Sequence, residues 1–333
     1  KRIVLVESGT LTMSGGYIVG GGNNNSDNGG GIYVNNGEVN ISGGVIAANR
    51  GNLGGGIYVN SGELNISGGA VTGNWLNDGE YSGGGIYVNS GTLKLSGGYV
   101  TNNCKDRNDA WQGDVNNKHG GGGIALANNV TMNMTGGYVT GNYSGLAGGG
   151  IYAGFWDGGV TFKMSGGTIA SNYAEYGEGG GLRIAGGTNG VIQATEKVYI
   201  TNNITNSNND WGGGGIFVQE KGNLNITNAL ITANTAYGYG GGVAACPTGE
   251  TLITHTEGAA IYGNSDEGKT MSGGGHGKDA DSDVAKANST FTSNGHKDYF
   301  CVRASGNDPI SLVTGEMLGG GAANWTGSSD GTY

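Results

Sequence analysis

Residues 29–49 read GGGIYVNNGEVNISGGVIAAN, residues 54–74 read GGGIYVNSGELNISGGAVTGN, and residues 83–103 read GGGIYVNSGTLKLSGGYVTNN. Each copy holds a Gly triplet, Ile-Tyr-Val, a turn, an alternating run, Ser-Gly-Gly and a last short run that ends in Asn. Self-similarity at a period of a few tens of residues is the mark of a stacked repeat, in which no unit buries its apolar face alone. The runs are β-rich, about four to six residues long, and bounded by Gly and Asn. Within Leu64-Asn65-Ile66 the period is two, so Leu64 and Ile66 share one face and Asn65 takes the other.

More divergent copies begin at Gly121, Gly148, Gly179, Gly213 and Gly240, and a partial one covers Gly9 to Ile18. Three short strands with sharp corners close one coil. Coils that pair in parallel about 4.8 Å apart then build a rod. The expectation is an all-β, right-handed parallel β-helix (a solenoid) of about nine three-stranded coils, roughly 40 Å long by that spacing. It spans residues 1–264. Residues 265–333, where the rhythm breaks, are read as an irregular C-terminal cap continuous with the rod, covering the last coil and blocking edge pairing.

One column supports this stacking most directly. Asn49, Asn74, Asn103, Asn142, Asn172, Asn203, Asn234 and Asn264 each follow an inward Val or Ile by three residues. Identical amides stacked in register bond one another and the turn backbone, so an asparagine ladder is expected.

The pattern resembles the Gly-rich right-handed β-helix regions of large cell-surface, adhesin-like proteins of Gram-positive gut bacteria. The resemblance covers nearly the whole chain and rests on the repeated GGGIYV, SGG and terminal Asn elements. It implies the fold and an extracellular, cell-wall-associated or secreted location. It carries little about activity, because the fold serves adhesins, polysaccharide lyases and glycoside hydrolases alike.

Composition narrows the partners. The 333-residue chain holds 76 Gly but 2 Pro, with 16 Lys+Arg against 26 Asp+Glu and a net charge of -10. An acidic chain without a basic run repels phosphate backbones, which argues against nucleic acid. No apolar run reaches the length of a membrane span, Lys1 onward does not read as a signal peptide, and the chain is read as a piece of a longer protein. The three cysteines, Cys104, Cys246 and Cys301, do not make a disulfide scaffold. Reduced thiols are expected, with a Cys246–Cys301 bridge as the alternative.

Length variation concentrates at one corner, between the ladder Asn and the next Gly triplet. Insertions there bring Trp75, Asp78, Glu80 and Tyr81, then Asp106, Arg107, Asp109, Trp111 and Asp114. Further along come Tyr143; Tyr173, Glu175, Tyr176 and Glu178; Asp210 and Trp211; and Tyr237 and Tyr239. Repeat proteins often carry their binding face on such loops. Aromatic faces pack on the apolar face of a pyranose, and carboxylates bond its hydroxyls. The ligand-binding candidates are Trp75, Asp78, Tyr81, Asp106, Trp111, Trp156, Asp210 and Trp211. The competing reading has the aromatics pinning loops to the rod and the acids solvated. Carboxylates on adjacent or next-but-one coils fall about 5 or 10 Å apart, which roughly brackets glycosidase spacings. Asp109, Asp114, Glu80 and Glu178 are the candidates if the edge is catalytic.

A second column follows the Gly triplet: Tyr33, Tyr58, Tyr87, Ala125, Tyr152, Arg183, Phe217 and Ala244. With Ile and Val inward, these residues are expected outward on an exposed sheet, as stacked pairs. Arg183 interrupts the aromatics, either for cation–π contact or to hold an anion. Asp279, Asp281 and Asp283 alternate as a calcium loop might, but the EF-hand offsets hold Val284 and Thr290, so that motif fails and a solvated loop competes. No other cofactor is expected, and the four His are too dispersed for zinc.

Three functions therefore stand at the level of sequence. The first is an extracellular binding module, an adhesin ectodomain whose corner loops hold a glycan or host surface protein, monomeric within a larger surface protein. The second is a glycoside hydrolase or polysaccharide lyase using the same groove. The third is a structural spacer.

Overall fold

A computed structural model describes residues 1–22, 27–76, 81–105, 119–155, 158–206, 212–238, 240–245, 250–253, 260–266, 299–301, 312–317 and 321–326. Among these residues there is no helix. Strands of successive coils pair in parallel and form three long sheets. The first has ten strands, from Val4–Val6 through the Ile-Tyr-Val elements to Tyr299–Cys301. The second has fourteen and carries both the alternating run and the run after Ser-Gly-Gly; some strands, such as Thr131–Thr140, pass through both. The third has eight two-residue strands, from Arg50–Gly51 to Ser265–Asp266. The chain is thus the expected all-β parallel β-helix, and a right hand is the one that parallel crossovers adopt.

Register follows the repeat. Ile57 stands between Ile32 and Ile86, and Leu64 between Val39 and Leu93. All six are fully buried. Each such side chain contributes roughly 1.5–3 kcal/mol by leaving water, which a single coil with an open top and bottom cannot capture.

The ladder forms as the column predicts. The side-chain nitrogen of each Asn donates to the Oδ1 of the next, from Asn49 to Asn74 at 3.0 Å through to Asn234 and Asn264 at 2.9 Å. The same nitrogen donates backward to a main-chain carbonyl, as Asn142 does to Val100 at 2.9 Å. From Asn74 on, each Oδ1 also accepts the backbone N–H of the preceding ladder residue, as Asn172 does from Asn142, and that of Asn49 accepts the N–H of Gly21. The amide hydrogens and oxygen are all used, so eight buried amides carry little desolvation cost.

The Gly triplet now has three separate causes. Gly148 sits at φ +63°, a left-handed corner. A Cβ on Gly149 would lie 2.4 Å from the Gly180 oxygen, in the narrow gap between coils. A Cβ on Gly150 would lie 2.9 Å from Nδ2 of Asn172, so the third Gly packs on the ladder.

The C-terminal segment is partly built into the rod. Ser265–Asp266 closes the third sheet, Tyr299–Cys301 closes the first against Val243–Ala245, and Leu312–Met317 pairs antiparallel with Gly321–Thr326.

One expectation is corrected. The second column is not on an exposed sheet: Tyr58, Tyr87, Ala125, Tyr152, Arg183, Phe217 and Ala244 are all buried. The rings do stack, with Tyr58 and Tyr87 at 5.6 Å and 3°. Alternation fixes which side a residue takes but not what lies over that side. Here Phe155, from the lengthened corner after the first sheet, folds back onto Tyr152 at 5.2 Å and Tyr87 at 6.2 Å.

Candidate functional site

The corner that receives the insertions is the third sheet. Its two-residue strands follow the ladder Asn directly, and at the second position Leu76, Lys105, Ser144, Ala174, Thr205 and Ala236 are buried. The first residue points out. In register these are Arg50, Trp75, Cys104, Tyr143, Tyr173, Ile204, Thr235 and Ser265. A single outward column therefore carries Trp75, Tyr143 and Tyr173 along one edge of the rod. Trp75 is 38% exposed. Tyr143 and Tyr173 stack at 5.7 Å and 6°, so their rings run parallel along this edge.

The insertion after Tyr173 adds polar partners. The Tyr143 hydroxyl donates to Oε2 of Glu175, from the next coil. Burial, then the Glu175 carboxylate and Tyr176, push the Tyr173 hydroxyl above its ordinary value, so it stays a neutral donor. Tyr176 is exposed at the tip. An aromatic edge with phenol and carboxylate groups at its base has the chemistry that binds a sugar or a polar peptide side chain.

Glu178 ends the same insertion and sits elsewhere. It is buried, and its Oε2 accepts from Nε of Arg183 at 3.1 Å. Arg183 also donates from Nη1 to the Tyr152 hydroxyl at 2.6 Å and lies over the Tyr152 and Phe217 rings. Of the two roles weighed for Arg183, the structure shows cation–π contact, joined by an ion pair. The group ties an insertion down onto the first sheet.

Tyr81 lies in the strand Tyr81–Gly83, paired in parallel with His119–Gly121, Tyr81 opposite His119. The insertions holding Asp78 and Glu80, and Asp106 to Asp114, thus return to the rod side by side. Asp78, Glu80, Asp106, Asp109, Trp111, Asp114, Trp156, Asp210 and Trp211 themselves lie outside the described residues, as do Asp279, Asp281, Asp283 and Cys246. Among the described residues no group of His, Cys, Asp and Glu is arranged to hold a metal ion. No helix there is long and apolar enough to cross a membrane.

Tyr143 and Tyr173 were visible as loop composition, but their place in one column was not. The signal was their position directly after the ladder Asn, the same offset as Trp75.

No family model matches the chain, no curated protein matches it, and no solved structure matches it.

Proposed function

We propose that this chain is an extracellular binding module, an adhesin-like rod that holds a glycan or a host surface protein along the edge of its third sheet. The observation that carries this reading is the outward column Trp75, Tyr143 and Tyr173, set in register beneath the insertions. A core needs none of these side chains there, since the inward position of each strand is already filled. The loop residues Asp78, Tyr81, Asp106, Trp111, Asp210 and Trp211 extend the same edge in this reading. An extracellular setting within a larger surface protein of a Gram-positive bacterium agrees with a rod of low charge and polar-neutral surface.

A carbohydrate-active enzyme would draw on carboxylates of the same loops. Glu178 serves it poorly, because a carboxylate buried against Arg183 has no open side for a reacting sugar.

The test is binding of the purified chain to immobilised glycans and to host mucosal proteins. Trp75→Ala with Tyr173→Ala is expected to lower binding at least tenfold with the fold intact by circular dichroism. Unchanged binding would remove the edge from the reading. New reducing ends or unsaturated products, lost in Asp109→Asn or Asp114→Asn, would replace it with the enzyme.

A further inference from the structure

Among the described residues, the largest run of exposed apolar side chains is not on the insertion edge. It lies on the part of the second sheet between the Gly-Gly bend and the ladder Asn. Tyr17 (80% exposed), Val19, Tyr99 (50%), Tyr138 (44%) and Tyr262 all stand there. Two outward columns make this face, one from Tyr17 to Ala260 and one from Val19 to Tyr262. Neither contains Asp, Glu, Lys or Arg, in a chain of net charge -10. The second column is rich in Thr, and Oγ1 of Thr140 donates to that of Thr101 at 3.2 Å.

Tyr99 and Tyr138 stack at 4.9 Å and 12°. That separation is close to the rise from coil to coil, so the two parallel rings follow one another along the rod. One face of Tyr138 is used by Tyr99. Its other face looks along the axis toward the next coil, where the partner in register is Thr168. Tyr199 follows one coil further on. Tyr138 and Tyr199 therefore stand two coils apart, about 10 Å, with a short half-buried Thr as the floor. This equals two ring-stacking contacts of about 5 Å each, so the gap has the width of one interposed ring. A wider gap of the same construction lies over Val45 and Ala70, between Tyr17 and Tyr99.

We propose that the gap over Thr168 is a second glycan site, independent of the insertion edge, which seats one pyranose of an uncharged polysaccharide between Tyr138 and Tyr199. The sugar faces meet the rings, and its edge meets the hydroxyls of Thr140, Thr168 and Thr201. The two columns themselves carry no charge, with Glu196 and Lys197 confined to the bend beside them, which favours a neutral polymer over a polyanion that the net charge also repels. A peptide has no strand edge to extend here, because these strands are bonded on both sides. A second copy is disfavoured by area: about 40 Å by 10 Å is on the order of 400 Å², half the roughly 800 Å² per partner of a stable interface.

The test is native electrophoresis in gels containing galactomannan, xyloglucan or dextran, with sedimentation at several protein concentrations. Thr168→Tyr fills the gap and continues the stack, so it keeps the fold, while Thr168→Ser leaves the gap open. The expected result is retardation by at least one of these polymers, weakened at least tenfold by Thr168→Tyr, kept by Thr168→Ser, and kept by Trp75→Ala with Tyr173→Ala. No retardation by any of the three, or equal retardation of Thr168→Tyr, overturns the site. Retardation lost only in the Trp75 and Tyr173 variant would leave the insertion edge standing and this site refuted. A concentration-dependent dimer abolished by Thr168→Tyr would make the face a self-association surface and overturn the glycan assignment.

Discussion

The side-chain nitrogen of Asn142 donates to Oδ1 of Asn172 at 2.9 Å, and the backbone nitrogen of Asn142 donates to the same oxygen at 3.1 Å. Two bonds into one oxygen fix the next coil in both height and register. Repeated at every coil, they leave no freedom for one coil to slip past another. The residue before each ladder Asn turns the corner with positive φ, including Ala48 at 51° and Ser171 at 54°. Non-Gly residues rarely adopt that conformation, and the ladder bonds on either side are what hold it.

Asn142→Ala should therefore cost more than a buried apolar truncation. It strands the backbone and side-chain donors of Asn103, both bonded to Oδ1 of Asn142, and the carbonyl of Val100. Each unsatisfied buried group costs about 1–3 kcal/mol, so a loss of about 3 kcal/mol or more is expected in urea unfolding. A loss below about 1 kcal/mol would mean that water enters and replaces the amide.

Glycine substitution should divide sharply by position. Gly149→Ala forces backbone apart, since its Cβ would fall 2.4 Å from the Gly180 oxygen and 2.6 Å from that of Tyr173. Gly73→Asn meets open space and takes a φ of 59° that Asn102 and Asn202 already adopt at the same corner. Thermal unfolding is expected to show Gly149→Ala grossly destabilised or unfolded, and Gly73→Asn within about 1 kcal/mol of the parent.

The Glu178–Arg183 pair should be asymmetric to disruption. Arg183→Met alone leaves a buried carboxylate facing rings, which costs about 3–5 kcal/mol. Glu178→Met with Arg183→Met removes both charges and should recover much of that loss. A double variant as unstable as Arg183→Met would show that the guanidinium stacking on Tyr152 and Phe217 matters more than the ion pair.

The stacking order was legible in the sequence because each column repeats a residue type: Ile57, Ile86 and Ile151 inward, Asn74 and Asn103 at the ladder. Columns that vary were not. The adjacent Tyr99 and Tyr138 are flanked by Ala70 and Thr168, so the outward face looked like scattered residues until the register aligned them. The burial of Tyr87 and Tyr152 was hidden for another reason. Their cover includes Phe155, from a corner that departs from the repeat, and a repeat predicts only what repeats.

That burial makes alkaline pH the natural stress on the first sheet. Burial, then the neighbouring tyrosines, push the hydroxyls of Tyr58 and Tyr87 above their usual value near 10. A raised value means that the folded state holds the proton more tightly than the unfolded chain. The resulting stability is complete below about pH 10, where both states are protonated, and is lost as pH rises toward the folded values. On alkaline titration the stacked pair Tyr58 and Tyr87 should therefore ionise only as the β signal in circular dichroism collapses. Tyr87→Phe removes one of the two coupled groups and should move the collapse to higher pH. If every tyrosine instead ionised in one step near pH 10 with the β signal preserved, the first sheet would be open to water and the covering role of Phe155 would be wrong.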